Sequence, residues 1–323
     1  MERKNKAMNN PNFSTQDVKH QWVAFALMFA FFAVAPYFVY PIFLMKVMCF
    51  ALFACAFNLL LGFGGLLSFG HAMFFGTAGY AAAHASKAWG WNPEFSVLFA
   101  TLCATALAWL VGLLAIRRQG IYFAMITLAL SQMVFFVFLQ TPFTGGEDGI
   151  QGVPRGLLLG LFDLSNNTAM YIFVMVVFFA GFALVWRIVH SPFGQVLKAI
   201  RENEQRALSL GFDTDNFKLI AFVLSGLVAG MAGGTKALVF QLASLTDVHW
   251  TMSGEVVLMT LVGGLGTLFG PVVGAAVIVT MQNYLAQLGS WVTVVQGLVF
   301  VLCVMLFRKG VVGEIAGFLR KPL

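Results

Sequence analysis

The residues able to do chemistry are few, and their arrangement argues against catalysis. The five histidines are scattered, without the His, Asp and Glu grouping that a metal or acid–base centre needs. Glu147 and Asp148 are adjacent, so they would rarely face one site, and no nucleophile accompanies them. Gly233-Gly234-Thr235-Lys236 looks superficially like a phosphate loop, but the chain has no G-x-x-x-x-G-K-[ST] and this stretch lies in an apolar run. Cys49, Cys55, Cys103 and Cys303 all sit in apolar windows at no metal-ligand spacing. The reading is a non-enzyme that binds no cofactor of its own.

One stretch stands apart. Of 19 basic and 13 acidic residues, eight fall between Ser191 and Lys218: Lys198, Arg201, Glu202, Glu204, Arg206, Asp213, Asp215 and Lys218. Ser191-Pro192 is a helix start signal, and Gly211 is a stop. Between them Val196, Ile200, Ala207 and Leu210 recur at roughly helical spacing, which predicts one short amphipathic helix from Gln195 to Leu210. Mixed charge signs disfavour simple lipid attraction, so the helix reads as a docking surface.

The elements that position these residues are membrane spans. The chain is 60% hydrophobic and 10% charged, where soluble domains carry roughly 25% charged residues. The expected fold is an all-α polytopic transmembrane helix bundle of about ten spans, with eight to eleven open. Candidate spans are Trp22–Tyr40, Ile42–Leu61, Leu66–Ser86, Phe95–Ile116, Ile121–Gln140, Thr168–Val189, Leu219–Phe240, Trp250–Leu265, Gly270–Leu288 and Trp291–Phe307. The third and eighth are short or rich in small residues, a signature open to re-entrant or broken helices. Ala33-Val34-Ala35 imitates a cleavage site, but Pro36 and the continuing apolar run favour a retained first span.

The net charge of +6 does not indicate nucleic acid, because Lys and Arg sit in short clusters between apolar runs and act as topology signals. Placing both termini in the cytoplasm leaves only Lys46, Lys87, Arg155 and Lys236 outside. The chain then divides into a tail at 1–21, a transmembrane domain at 22–307 with a cytoplasmic segment at 190–218 and an external loop at 141–167, and a tail at 308–323.

Polar residues within spans are costly, which makes them pathway candidates: Asn58, Ser68, His71 and Glu255, with Gly264 in a glycine-rich break. For Asn58 and Ser68 a structural hydrogen bond is the stronger reading, and for His71 a bond to a neighbouring helix. Lys236 is expected to pair with Glu255, with Lys46 as another cation within reach. Two glycine-rich stretches, 62–71 and 263–271, resemble each other with one residue of slippage; such duplicated breaks either mark a transporter's site or let helices pack closely.

Glu204-Gln205-Arg206-Ala207 followed by Gly211 resembles the coupling loop of ABC importer permeases, in which E-x-x-A precedes a Gly. Its continuation through Phe217–Gly230 is similar to the LivM-type permeases of branched-chain amino acid importers. So are 58–65, Ser68-Phe69-Gly70-His71, Thr144-Gly145-Gly146 with Asp148-Gly149, and Gly263-Gly264-Leu265-Gly266 with Gly270-Pro271. The small residue expected directly after Glu204 is absent, and Lys236 is a departure from the family pattern.

The resemblance implies a bacterial inner-membrane subunit working with a homologous second permease, two cytoplasmic ABC ATPases that hydrolyse the ATP, and a periplasmic substrate-binding protein. Membrane lipid surrounds it, and nucleic acid is not a partner. Arg201, Glu204, Ala207 and Gly211 would serve ATPase coupling, and Gly145, Gly146, Glu147 and Asp148 would face the binding protein. A secondary transporter or channel for a small polar solute is the alternative; it would need more membrane-embedded carboxylates.

Overall fold

The computed structural model describes residues 15–158, 160, 162–286, 289, 291–306 and 310–319. The tail through residue 14 and the basic residues Arg308, Lys309, Arg320 and Lys321 lie outside the described residues. The helices are α1 (Thr15–Val34), α2 (Pro41–Asn58), α3 (His71–Lys87), α4 (Pro93–Ala115), α5 (Ile121–Gln140), α6 (Asn167–His190), α7 (Pro192–Glu202), α8 (Glu204–Ser209), α9 (Thr214–Phe240), α10 (Trp250–Gly263), α11 (Gly270–Leu285), α12 (Trp291–Leu306) and α13 (Gly310–Leu319). Proline opens α2, α4 and α7, where its missing N–H costs nothing. Asn166, Ser191, Asn203 and Asp213 cap α6 to α9 by accepting a backbone N–H. The protein is a polytopic helical membrane protein.

Each of the ten expected spans meets a helix, but they are unequal. Among the described residues, five helical stretches are long and apolar enough to cross a membrane: Pro41–Phe63, Pro93–Ala115, Ile121–Gln140, Asn167–His190 and Thr214–Phe240. The 14 residues of α10 rise only about 21 Å, short of a ~30 Å hydrocarbon core. The third span begins at His71 rather than Leu66, because Gly65 takes φ +72° and residues 65–68 run without helix.

Depth in the bundle follows the pattern of small residues. The Pro41–Phe63 stretch has 89% of its apolar window buried, whereas α5 has 22% and faces outward. Against α9, helix α4 lays Ala100, Ala104 and Ala108 opposite Gly234, Gly230 and Gly226, one small residue per turn on each side. Lipid supplies no hydrophobic drive between helices, so such close backbone approach is what holds them together. Gly233 meets α3 more closely still, with a Cβ there overlapping the Phe75 carbonyl oxygen. The GGTK run is therefore a packing face.

Contacts define two ends. At one, here the charged end, the 62–70 and 264–269 breaks lie beside α7. At the other, the sheet end, β1 (Ile150–Gln151) pairs antiparallel with β4 (Leu242–Ala243). A second small ladder joins β2 (Leu157–Leu158) to β3 (Phe162–Asp163). These strands are additions to the all-helical expectation. The segment expected as a tail at 308–323 includes helix α13, whose Gly310 packs on Gly264 and whose Val312 is buried.

Gly233→Ala should destabilise the bundle by about 1–3 kcal/mol through overpacking. Gly254→Ala, whose Cβ would enter open space, should leave stability unchanged or slightly higher. Thermal unfolding of both variants in detergent checks this.

Candidate functional site

The charged segment folds as two helices, correcting the single helix expected from Gln195 to Leu210. Asn203 breaks it at φ −157° and ψ 99°, and its Oδ1 accepts the Arg206 N–H at 3.0 Å. An Asn that satisfies an orphan donor of a new helix competes with continuation of the old one. Of the expected apolar stripe, Ile200 and Ala207 are buried, Val196 is half-buried and Leu210 is 70% exposed. Gly211 ends α8 as expected: at φ +87° it donates to the Leu208 carbonyl at 2.9 Å, and Phe212 donates to Ala207 at 3.2 Å. That is a Schellman turn, and its left-handed residue suits glycine.

Glu204 turns back onto its own chain. Its Oε1 accepts from Lys218 Nζ at 2.5 Å, Gln119 Nε2 at 2.9 Å and Thr214 Oγ1 at 3.4 Å. Three elements are thereby tied together: α8, the start of α9 and the turn between α4 and α5. Lys218 is almost fully buried, so the carboxylate is what makes its charge tolerable there. Lys218 and Gln119 escaped sequence reasoning because they lie 14 and 85 positions from Glu204.

Helix α7 rests on the glycine breaks. Arg201 donates from Nη1 to the Gly62 carbonyl, and Leu197 packs at Gly64. Lys198 stands 5.4 Å from the Phe63 ring centroid, and burial pushes its ammonium below the ordinary lysine pKa. Gly62 and Phe63 belong to a π turn, Leu59–Phe63, that ends α2. Asn58 bridges the two breaks: its Nδ2 donates to Thr267 O at 2.8 Å and its Oδ1 accepts Gly266 N at 3.0 Å. The likeness of the two stretches has a structural counterpart. Ser68 Oγ accepts from Gly70 N, and Thr267 Oγ1 from Gly270 N, each just before a helix starts. Gly264 itself adopts φ +126°.

Deeper in the bundle, His71 Nε2 lies 2.8 Å from Ser225 Oγ on α9, which donates to Ala56 O on α2. Phe57, Phe74 and Phe222 surround the ring edge-on. Nearby, Ser253 of α10 accepts the Ala72 N–H at 2.9 Å, satisfying a first-turn donor of α3. The expected Lys236–Glu255 pair is replaced. Lys236 binds Asp247 at 2.5 Å, because the turn at Leu245–Asp247 brings that carboxylate back over the end of α9. Glu255 instead accepts from Gln282 Nε2 at 2.9 Å.

At the sheet end the 141–167 loop is strapped down. Lys87 Nζ donates to Gln151 O, Ser86 Oγ to Pro154 O, and Arg155 to both Val239 O and Asn167 Oδ1. Partial burial lowers the Arg155 pKa. Gly145 and Gly146 take φ +79° and +58°, leaving Glu147 and Asp148 exposed at the tip. Among the described residues no group of three His, Cys, Asp or Glu side chains is placed to hold a metal.

The Glu204–Lys218 pair should be asymmetric. Glu204→Ala strands the Lys218 ammonium and should cost about 3–5 kcal/mol. Lys218→Met leaves a more exposed carboxylate that keeps Gln119 and Thr214, and should cost less. Hydrogen exchange across 204–218 reads both.

Comparison with known proteins places this geometry. The family model for the branched-chain amino acid transport system permease component matches residues 39–304. The high-affinity branched-chain amino acid transport system permease protein LivM of Escherichia coli K12 is 25% identical over 284 residues, 81% of this chain and 67% of that protein. The ribose import permease protein RbsC of Bacillus subtilis 168 is 30% identical over 174 residues, 51% of each chain. The autoinducer 2 import system permease protein LsrC of Photorhabdus laumondii is 29% identical over 116 residues, 34% of this chain and 35% of that one. No solved structure matches. With more than half its length inside that model, the chain belongs to the family of branched-chain amino acid transport system permease components, which are transporters and not enzymes.

Proposed function

We propose that this chain is the membrane-spanning permease subunit of an ATP-driven ABC importer that carries branched-chain or related amino acids into the cytoplasm. A homologous second permease completes the pathway, two cytoplasmic ATPases supply the energy, and a periplasmic binding protein delivers substrate. The observation that carries this reading is the exposed face of α8 and its turn. Leu208, Leu210 and Phe212 are 47%, 70% and 37% exposed on a segment whose charges keep it out of the hydrocarbon core. An apolar patch inside such a charged surface fits a protein partner better than solvent.

Arg201, Glu204, Ala207 and Gly211 divide the work on this reading. Ala207 lets α8 sit close, Glu204 anchors it from below, Gly211 shapes the turn, and Arg201 passes its displacement to Gly62 and the end of α2. The charged end is then cytoplasmic, in keeping with Arg117, Arg118, Arg187 and Arg206. The Glu147–Asp148 tip faces the binding protein. Asn58, Ser68, His71 and Gly264 act by holding the broken helices that flank the pathway, and Glu255 lies near its outer mouth. Amino-acid cargo is favoured because the similarity to LivM spans 81% of the chain, against 51% for RbsC. Ion-coupled transport is disfavoured because Lys236 is neutralised by Asp247 and Glu255 is hydrogen-bonded.

Co-expression with the ATPase subunits tests the docking. Leu210→Asp should reduce their co-purification about tenfold or more, as expected from losing the ~2 kcal/mol of one buried leucine, while membrane insertion is unchanged. Gly211→Arg should retain the ATPase but lower uptake per ATP hydrolysed, because its φ is strained for any side chain. Normal uptake in both variants, or uptake driven by an ion gradient without ATP, would sink the reading.

A further inference from the structure

Two adjoining hollows on the flank of the bundle play no part in passage or docking. The larger, about 690 Å³, is a groove between α1, α2 and α11 whose walls include Phe31, Leu44, Phe269 and Ala276. Its only hydroxyl, on Thr280, is spent on the Ala276 carbonyl at 2.6 Å. From Phe269 to Met281 the groove follows α11 for about 18 Å, a little over half of a ~30 Å hydrocarbon core. The second hollow, about 400 Å³, meets the groove at Val39 and Phe43 at the sheet end. It is a mixed chamber, edged by Tyr40, Lys46, Asn283 and Tyr284 beside Phe38, Ile42 and Phe240.

Lys46 gives this pair of hollows a direction. Its ammonium makes no hydrogen bond or ion pair within 4 Å among the described residues, although the Glu255 carboxylate and the Lys236 ammonium both act on it from farther away. Lys236 is ion-paired with Asp247, whereas Glu255 accepts only from the neutral Gln282 amide and acts on Lys46 from beyond ion-pair distance. A cation thus stands at the head of an apolar slot about 18 Å long, with two phenols and an amide beside it.

We propose that the groove holds a single phospholipid of the sheet-end leaflet, one acyl chain lying along α11 and its phosphodiester on the Lys46 ammonium. The charge at the mouth selects the occupant, since a purely apolar partner leaves Lys46 with no directly bonded counter-ion and a phosphate supplies one. The site joins α1 and α11 to the buried α2, so its lipid would brace the periphery against the core.

The test uses the full-length chain with its co-purifying subunits, in nanodiscs containing phosphatidylglycerol with a photoreactive acyl chain. Labelling should fall on 31–47 and 269–281. The near-isosteric Lys46→Met should cut it about tenfold, and Ala276→Trp, which fills the groove, should abolish it. Lys87→Met, a change in another sheet-end lysine already bound to Gln151, should leave it intact. Labelling equal in wild type and Lys46→Met would overturn the proposal. So would efficient disulfide capture of the second permease by Val273→Cys with no lipid label in the groove, which would make this face a subunit interface.

Discussion

The structure depends most on one side chain, Asn58, which closes two helix breaks against each other. Helix α2 ends in a π turn and α10 ends at a glycine with φ +126°, so both release backbone groups inside a lipid-embedded fold. Such groups must be satisfied from within the protein. Asn58 donates to one carbonyl and accepts from one amide of the 264–269 loop, and it is 2% exposed. An aliphatic residue of the same size would fill the volume and leave both partners unpaired. Gly62 is obliged to be small by the same arrangement, because a Cβ there would collide with the Asn58 carboxamide.

From that junction the organisation spreads by contact. Arg201 and Leu197 sit on Gly62 and Gly64, in and just after the π turn that follows Asn58, so the surface helices are seated directly on the end of α2. Glu204 fastens the same surface helices to α9 and to the α4–α5 turn. On the proposed reading, a push on α8 would reach the end of α2, the start of α9 and the α4–α5 turn through short links, of which Gln119–Glu204 is exposed and the others half-buried. Interfaces of this kind shift as units because packed elements deform little. The opposite end is built differently, with short ladders and lysine and arginine side chains strapping a long loop across the helix ends.

The alanine and glycine ridges between α4 and α9 explain how a bundle with so little polar chemistry stays assembled. Close approach replaces the hydrophobic drive that is missing in lipid, and hydroxyls such as Ser225 and Ser253 add cross-helix bonds where carbonyls and helix starts need them. Of the intramembrane pathway candidates, His71 and Glu255 bond across helices, to Ser225 and Gln282, while Ser68 receives the Gly70 amide locally at the start of α3.

Local chemistry made much of this legible from the chain alone. Apolar runs located the helices, because a span must satisfy its own backbone. Ser191-Pro192 and Gly211 bounded the charged segment, because caps and left-handed turns are one-residue decisions. Asn203 was invisible as a break because a polar residue on a charged helix face looks like any other until its side chain finds the next amide. Partner choice belonged to the tertiary structure. Lys236 took Asp247 rather than Glu255 because a three-residue turn, not sequence distance, sets which carboxylate reaches it. Glu204 turned inward because Gln119, Thr214 and Lys218 converge on one point only after α4, α5 and α9 have packed. Composition settles what a chain can bury, but which buried charge meets which partner is settled by distances that exist only in the folded bundle.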